Sequence, residues 1–228
     1  MKVFLAGQKA FGAAAFAMLR SSGCEVVGVS APALREDGER HDRLRAAAED
    51  AGVPWMRSGT LRAETLPAKT DLIVAAHSHD FIGRRTRMGT TFGAIGYHPS
   101  LLPRHRGRDA VRWTIHMKDP IAGGSVYWLS DKMDGGDIAA QDFVFISPGE
   151  TVDSLWREKL FPLGLVLLDA AVRDIANGII RRQPQTETYA TWEPSWDRPP
   201  AERPELDLLG HLPAGTSVSR QAARAGRR

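Results

Sequence analysis

Ile95-Gly96-Tyr97-His98-Pro99-Ser100-Leu101-Leu102-Pro103-Arg104-His105-Arg106-Gly107 is the stretch on which the fold turns. An apolar run gives way at His98 to a proline-rich turn. Further along, Met133-Asp134-Gly135-Gly136-Asp137 repeats the pattern with a carboxylate in place of the imidazole. One histidine and one carboxylate, each where an apolar segment ends, is how an open parallel sheet presents its chemistry, and it predicts an enzyme.

Working outward from that stretch, residues 91–97 read as the strand that carries His98. Residues 71–76, Asp-Leu-Ile-Val-Ala-Ala, form the cleanest buried strand because they show no polar alternation. Residues 3–6, closed by Gly7, and 25–30 are further strands, and 53–57 a short one. Between them, residues 11–19 predict an Ala-rich helix stopped by Gly23, and residues 42–51 a helix with Gly52 behind it. This alternation argues for right-handed crossovers and an α/β fold with a doubly wound, mainly parallel, Rossmann-like sheet.

The pattern changes after Arg108. A helix over 109–117 precedes strands at 124–129 and 138–146, joined only by the loop of Asp134, so the two should be antiparallel neighbours at the edge of the sheet. Thr151 or Asp153 can cap a long amphipathic helix running to about residue 176, which Pro162 should kink or divide. From Trp192 on, Pro194, Pro199, Pro200, Pro204 and Pro213 accompany little periodicity. These signals divide the chain into a catalytic domain over 1–190 and a Pro/Arg-rich extension over 191–228, with the part after about 205 read as a loosely held tail.

Composition sets limits on function. With 228 residues, 43% hydrophobic and 25% charged, the chain can bury a core as an ordinary globular protein. The formal charge of +3 is inflated by Arg203, Arg220, Arg224, Arg227 and Arg228, so nucleic acid is not an expected partner. The single cysteine, Cys24, excludes an internal disulfide and reads as a buried or strand-edge thiol. No apolar run approaches the ~20 residues of a membrane span, and a cytoplasmic location is the default expectation.

Histidine titrates near neutrality, so His98 can hold or pass a proton in the crevice, although a capping or exposed histidine fits the same spacing. Asp134 stands before two glycines that let backbone approach a ligand, and an ordinary Asx turn fits equally. His77-Ser78-His79-Asp80 could suggest a metal, but no partner set with zinc spacing appears elsewhere, and a loop lining the same crevice is the better reading. Gly7 and Gly12 lack the spacing of a dinucleotide fingerprint and should serve a turn and close helix packing.

The run from Tyr97 to Gly107 resembles the signature of the formyltransferase family, which uses 10-formyltetrahydrofolate. Met133-Asp134-Gly135-Gly136-Asp137-Ile138 is similar to that family's Leu-Asp-Thr-Gly loop. Gly7-Gln8, Phe11-Gly12, the segment 25–29 and Leu160-Phe161-Pro162 with Gly164 add to the likeness, which covers roughly residues 1–190. The branch most resembled holds the hydrolase domain of 10-formyltetrahydrofolate dehydrogenase and methionyl-tRNA formyltransferase-like proteins.

The resemblance implies His98 and Asp134 as the catalytic pair. It also implies a pterin pocket lined by Asp80, Phe81 and Ile82 with Asp131, Lys132, Met133, Gly135 and Gly136, a cis Leu102–Pro103 bond, and no metal. The family's asparagine two places before the histidine is Gly96 here, and the chain's only asparagine is Asn177. The dehydrogenase's hydrolase domain lacks that asparagine too. The expected reaction is formyl transfer to the amino group of a small acceptor. Hydrolysis to tetrahydrofolate and formate is the alternative, and a folate-binding protein without activity is a third reading. Initiator tRNA is disfavoured because the extra domain of the tRNA enzymes would not fit in this length. Glycinamide ribonucleotide is disfavoured because Gly12-Ala13-Ala14 stands where a Gly-Ser-Asn phosphate loop would.

Overall fold

The computed structural model describes residues 1–35 and 38–196. The tail expected after about residue 205 lies outside these residues. Seven strands form one sheet in the order β3-β2-β1-β4-β5-β6-β7. The strands are β1 (Lys2–Gly7), β2 (Glu25–Ala31), β3 (Trp55–Arg57), β4 (Leu72–Ala76), β5 (Gly93–His98), β6 (Ile121–Trp128) and β7 (Ile138–Phe145). The first five run parallel, and β6 and β7 are antiparallel to their neighbours. The expected doubly wound sheet with an antiparallel edge is therefore present. The chain winds outward from β1 to β3 and returns on the other side of β1 at β4, which places the topological switch between β1 and β4.

Val3, Phe4, Leu5, Leu72, Ile73, Val74 and Ile95 are fully buried because helices cover the central strands. Each such side chain contributes about 1.5–3 kcal/mol by leaving water. Helix α1 (Lys9–Ser21) lays Phe11, Ala15, Phe16 and Leu19 on one side of the sheet beside α2 (Arg43–Asp50). A Cβ on Gly7 would stand 2.5 Å from the Ala76 carbonyl and one on Gly12 3.2 Å from Gly7, so these glycines allow strand and helix to touch. Cys24 is partly buried just before β2, and burial raises its thiol pKa.

The short helices α3 (Arg84–Arg87) and α4 (Ala110–His116) flank β5. The long C-terminal helix is divided, as Pro162 predicts. A turn α5 (Val152–Ser154), opened by a Thr151 capping box, leads into a π-helical stretch (Leu155–Leu160), and α6 (Phe161–Ala176) begins with Pro162 in its first turn. Proline has no N–H to donate back along the helix, so the preceding turn widens there. Gly164 on α6 fits under Tyr97, whose hydroxyl donates to the Leu160 carbonyl at 2.7 Å. No helix among the described residues is long and apolar enough to cross a membrane.

Candidate functional site

His98 is the last residue of β5, so its ring is held at the carboxyl edge of the parallel sheet. Its Nε2 lies 2.7 Å from the carbonyl oxygen of His105. A carbonyl can only accept, so Nε2 carries the proton, and Nδ1 is the nitrogen left to give or take one. Nδ1 lies 3.7 Å from Asp134 Oδ2, and the two side chains are only 10% and 11% exposed. The pair expected from the sequence thus shares one crevice. At this distance the two groups lie just beyond hydrogen-bond reach of each other.

Asp134 reaches that place by a route the sequence reading did not foresee. Because β6 runs against β5, with His98 opposite Ser125 and Ile95 opposite Trp128, the loop after β6 leaves the sheet at the end away from His98. It then curls back over the face. Asp134 adopts the left-handed conformation (φ 50°), and Gly136 passes so close to β6 that a Cβ would lie 1.7 Å from the Trp128 carbonyl. Two donors fix the returned carboxylate. The Gly107 N–H donates to Oδ2 at 2.7 Å and the Tyr127 hydroxyl to Oδ1 at 2.6 Å.

Residues 183–196 close the site from outside as a strap. The Gln185 side-chain amide donates to the carbonyls of Asp134 and Gly136 at 2.8 and 2.7 Å, and its oxygen accepts from Arg106. Arg106, 2% exposed, also pairs with Glu187 at 2.9 Å, which lowers the Glu187 pKa. The His105 N–H donates to the Thr191 hydroxyl at 2.8 Å, and Trp113 donates to the Pro194 carbonyl at 3.0 Å. The strap runs through position 190, where the sequence reading divides the chain.

Buried beneath the strap, His105 stands between Asp119 (2.7 Å) and Glu193 (3.3 Å). Burial disfavours its charged form, but the hydrogen bonds and charges of the two carboxylates outweigh this and raise its pKa above 6.5. A raised value in the folded state stabilises the fold below the ordinary histidine range, and that contribution is lost as pH rises through the raised value. The Asp119 pKa is lowered. Burial opposes the shift, but His105 and Arg104 prevail, so its contribution is present above 3.8 and is lost as pH falls through the lowered value. Thermal midpoints measured against pH should fall as pH rises above 6.5, and the His105→Gln variant should lack that fall. A variant that keeps the wild-type slope would remove His105 as its source.

The expected pocket residues divide into those held inside and those at the rim. Ile82 is buried with Phe4, Ile73 and Ala94, whereas Phe81 and Met133 are 75% and 63% exposed. Asp80 accepts from the Ser30 hydroxyl at 2.8 Å. Arg87 on α3, which the sequence reading passed over, donates to the Ile82 carbonyl and to Asp131 at 2.6 Å, tying the loop after β4 to the loop after β6. A cavity of about 360 Å³ opens beside it between Thr90, Ala94, Trp128 and Leu129. Lys132 is exposed, and Gly135 lies against its Cβ. The rings of His77 and His79 stand 5.9 Å apart. His79 has a lowered pKa from burial and from the charges of Arg108 and Lys9. Among the described residues no group of three or more His, Cys, Asp or Glu side chains is placed to hold a metal.

Position 96 can be judged directly. Gly96 lies within β5 and has no positive φ, so its backbone accepts any residue. A Cβ there would meet Leu129 at 3.0 Å and the Tyr127 ring at 3.5 Å. Gly96→Asn should therefore displace both side chains, lower stability by about 1–3 kcal/mol through overpacking and reduce activity. An unchanged melting temperature and rate would show that the Leu129 and Tyr127 side chains yield freely.

The peptide bond Leu102–Pro103 is cis. The profile of the family described as Formyl transferase matches residues 3–162. The chain is 38% identical over 230 residues to the mitochondrial 10-formyltetrahydrofolate dehydrogenase of Mus musculus, covering 92% of this chain and 25% of that protein. It thus spans about a quarter of the length of that relative. Among solved structures it superposes on glycinamide ribonucleotide transformylase 1 of Symbiobacterium toebii with a TM-score of 0.68 at 21% identity, covering 81% of this chain and 93% of that one. It superposes on the N-formyltransferase of Helicobacter canadensis, solved with folinic acid and dTDP-3-aminofucose, with a TM-score of 0.66 at 14% identity, covering 84% and 70%. The sheet, the His98 turn and the extent of the profile match lead to one conclusion: the chain belongs to the Formyl transferase family.

Proposed function

We propose that the protein transfers the formyl group of 10-formyltetrahydrofolate to the amino group of a small-molecule acceptor, with His98 and Asp134 as the catalytic pair. The observation that supports this most is the convergence of His98 Nδ1 and Asp134 Oδ2 at 3.7 Å in a crevice that holds both nearly out of water. The amine nitrogen attacks the formyl carbon, and the carbonyl electrons move onto oxygen. Protonated at Nδ1, His98 faces that oxygen and stabilises its charge. Collapse breaks the bond from carbon to the folate nitrogen, which takes up the proton lost by the amine. Asp134 balances the charge on His98 while the proton moves. The products are a formamide and tetrahydrofolate.

The folate would lie between the loops that Arg87 ties together, with Asp80, Phe81 and Ile82 on one side and Asp131, Lys132, Met133, Gly135 and Gly136 on the other. The exposed Phe81 and Met133 offer apolar surface to a flat ring. No resident metal is needed for these steps.

One observation favours a second reading, hydrolysis to tetrahydrofolate and formate. Position 96 has no amide, and Leu129 and Tyr127 border the room one would need. Tetrahydrofolate release should be followed with 10-formyltetrahydrofolate alone and with a library of small amines. Release that depends on an amine supports transfer, and equal release without one supports hydrolysis. Folate binding with no release in either arm would leave neither reaction standing.

A further inference from the structure

Neither the family resemblance nor the proposed chemistry assigns a role to Tyr127. This side chain is 8% exposed on the face of β6 that looks toward the site. In the antiparallel register it lies directly across from Gly96, while His98 lies across from Ser125 two residues along the same face. Its ring is walled by Leu102, Ile138 and Leu129, and a Cβ on Gly96 would lie 3.5 Å from it, at ordinary contact distance. From there the hydroxyl reaches Asp134 Oδ1 at 2.6 Å.

We propose that Tyr127 is the positioning residue of Asp134. This rests on the reading of Asp134 as a catalytic group. The geometric argument concerns the carboxylate plane. The Gly107 N–H alone would hold Oδ2 at one point and leave the group free to turn about that contact. A second donor on Oδ1, coming from a different element, fixes the plane and keeps Oδ2 toward His98 Nδ1. Burial, and after it the charge of Asp134, raise the phenol pKa well above 10, so the hydroxyl stays a donor at any working pH. An arrangement fixed before substrate arrives needs no reorganisation when charge develops.

Tyr127→Phe removes one oxygen and keeps the ring, so it tests the hydroxyl without emptying the core. In the full chain with 10-formyltetrahydrofolate, kcat should fall about tenfold, the order expected for one hydrogen bond to a charged group, while KM for the folate stays within about twofold. A crystal structure of the variant should show Asp134 turned, with Oδ2 further from His98 Nδ1 than the native 3.7 Å. A native kcat, or a KM that rises as kcat falls, would overturn the role. So would an Asp134 that keeps its place in the variant structure. The structural arm decides this even if the wild-type protein turns over no folate, a result that would overturn the proposed function instead. A thermal melt near the wild-type midpoint separates a positioning loss from a folding loss.

Discussion

His98→Ala is expected to lower folate-dependent turnover by about 10³-fold, because in the proposed mechanism it removes the nitrogen that meets the developing oxyanion, and such donors are typically worth 10²–10³. Asp134→Ala should cost about 10²–10⁴-fold, the range for a positioned acid–base group. Folate affinity should change little in either variant, since the pair is assigned to charge that appears only in the transition state. The two variants should differ in stability. His98→Ala leaves the His105 carbonyl without its donor, at a cost of about 1–3 kcal/mol. Asp134→Ala strands the Tyr127 hydroxyl and the Gly107 N–H. Steady-state rates beside isothermal titration with the folate decide the matter, and near-native turnover in either variant would reduce that residue to a structural part.

Gly136→Ala should be nearly as damaging for a different reason. The added methyl would stand 1.7 Å from a backbone oxygen of β6, and backbone cannot rotate aside as a side chain end can. The loop must lift, carrying with it the Gly136 carbonyl that Gln185 holds and the Asp134 carbonyl beside it. A displacement of about 1 Å at Asp134 is enough to cost about 10²-fold in rate. The strain should lower stability by about 3 kcal/mol, or about 6–12 °C in melting temperature for a chain of this size. Gly135→Ala is the comparison: its Cβ would meet the backbone-anchored Lys132 Cβ at 2.8 Å, so the loop must shift there too, but by less than the 1.7 Å approach at Gly136 demands. Equal loss in the two variants would show that any side chain in this loop is excluded, whatever it meets.

The sequence made His98 legible because a parallel strand ending at a proline turn points its last residue into the crevice whatever the details. Asp134 was legible by type but not by route. The reading put it at a strand end beside His98, and the register shows the strand running the other way, so the loop has to curl back. The antiparallel edge itself was readable from the shortness of that loop, and the division of the last helix from Pro162. Tyr127 read as one aromatic in a strand, because its hydrogen bond to Asp134 depends on the return of the loop after β6, which no local pattern encodes. Arg106 stood inside the quoted run, but its partners Gln185 and Glu187 are far off in sequence, in a segment without periodicity. Arg87 passed without notice beside Arg84 and Arg85. Its burial against Ile82 and Asp131 comes only from the tertiary fold.

The strap also imposes an order in time on a chain made from its N-terminus. The seven strands of the sheet have been synthesised by residue 145, and the proposed catalytic pair earlier still, by residue 134. The groups that brace them arrive later: Gln185 under the Asp134 loop, Thr191 on the His105 backbone and Glu193 beside the His105 ring. A nascent chain can therefore hold a complete sheet while its reactive pair is still unbraced. If His98 and Asp134 react as proposed, catalysis waits for these later contacts.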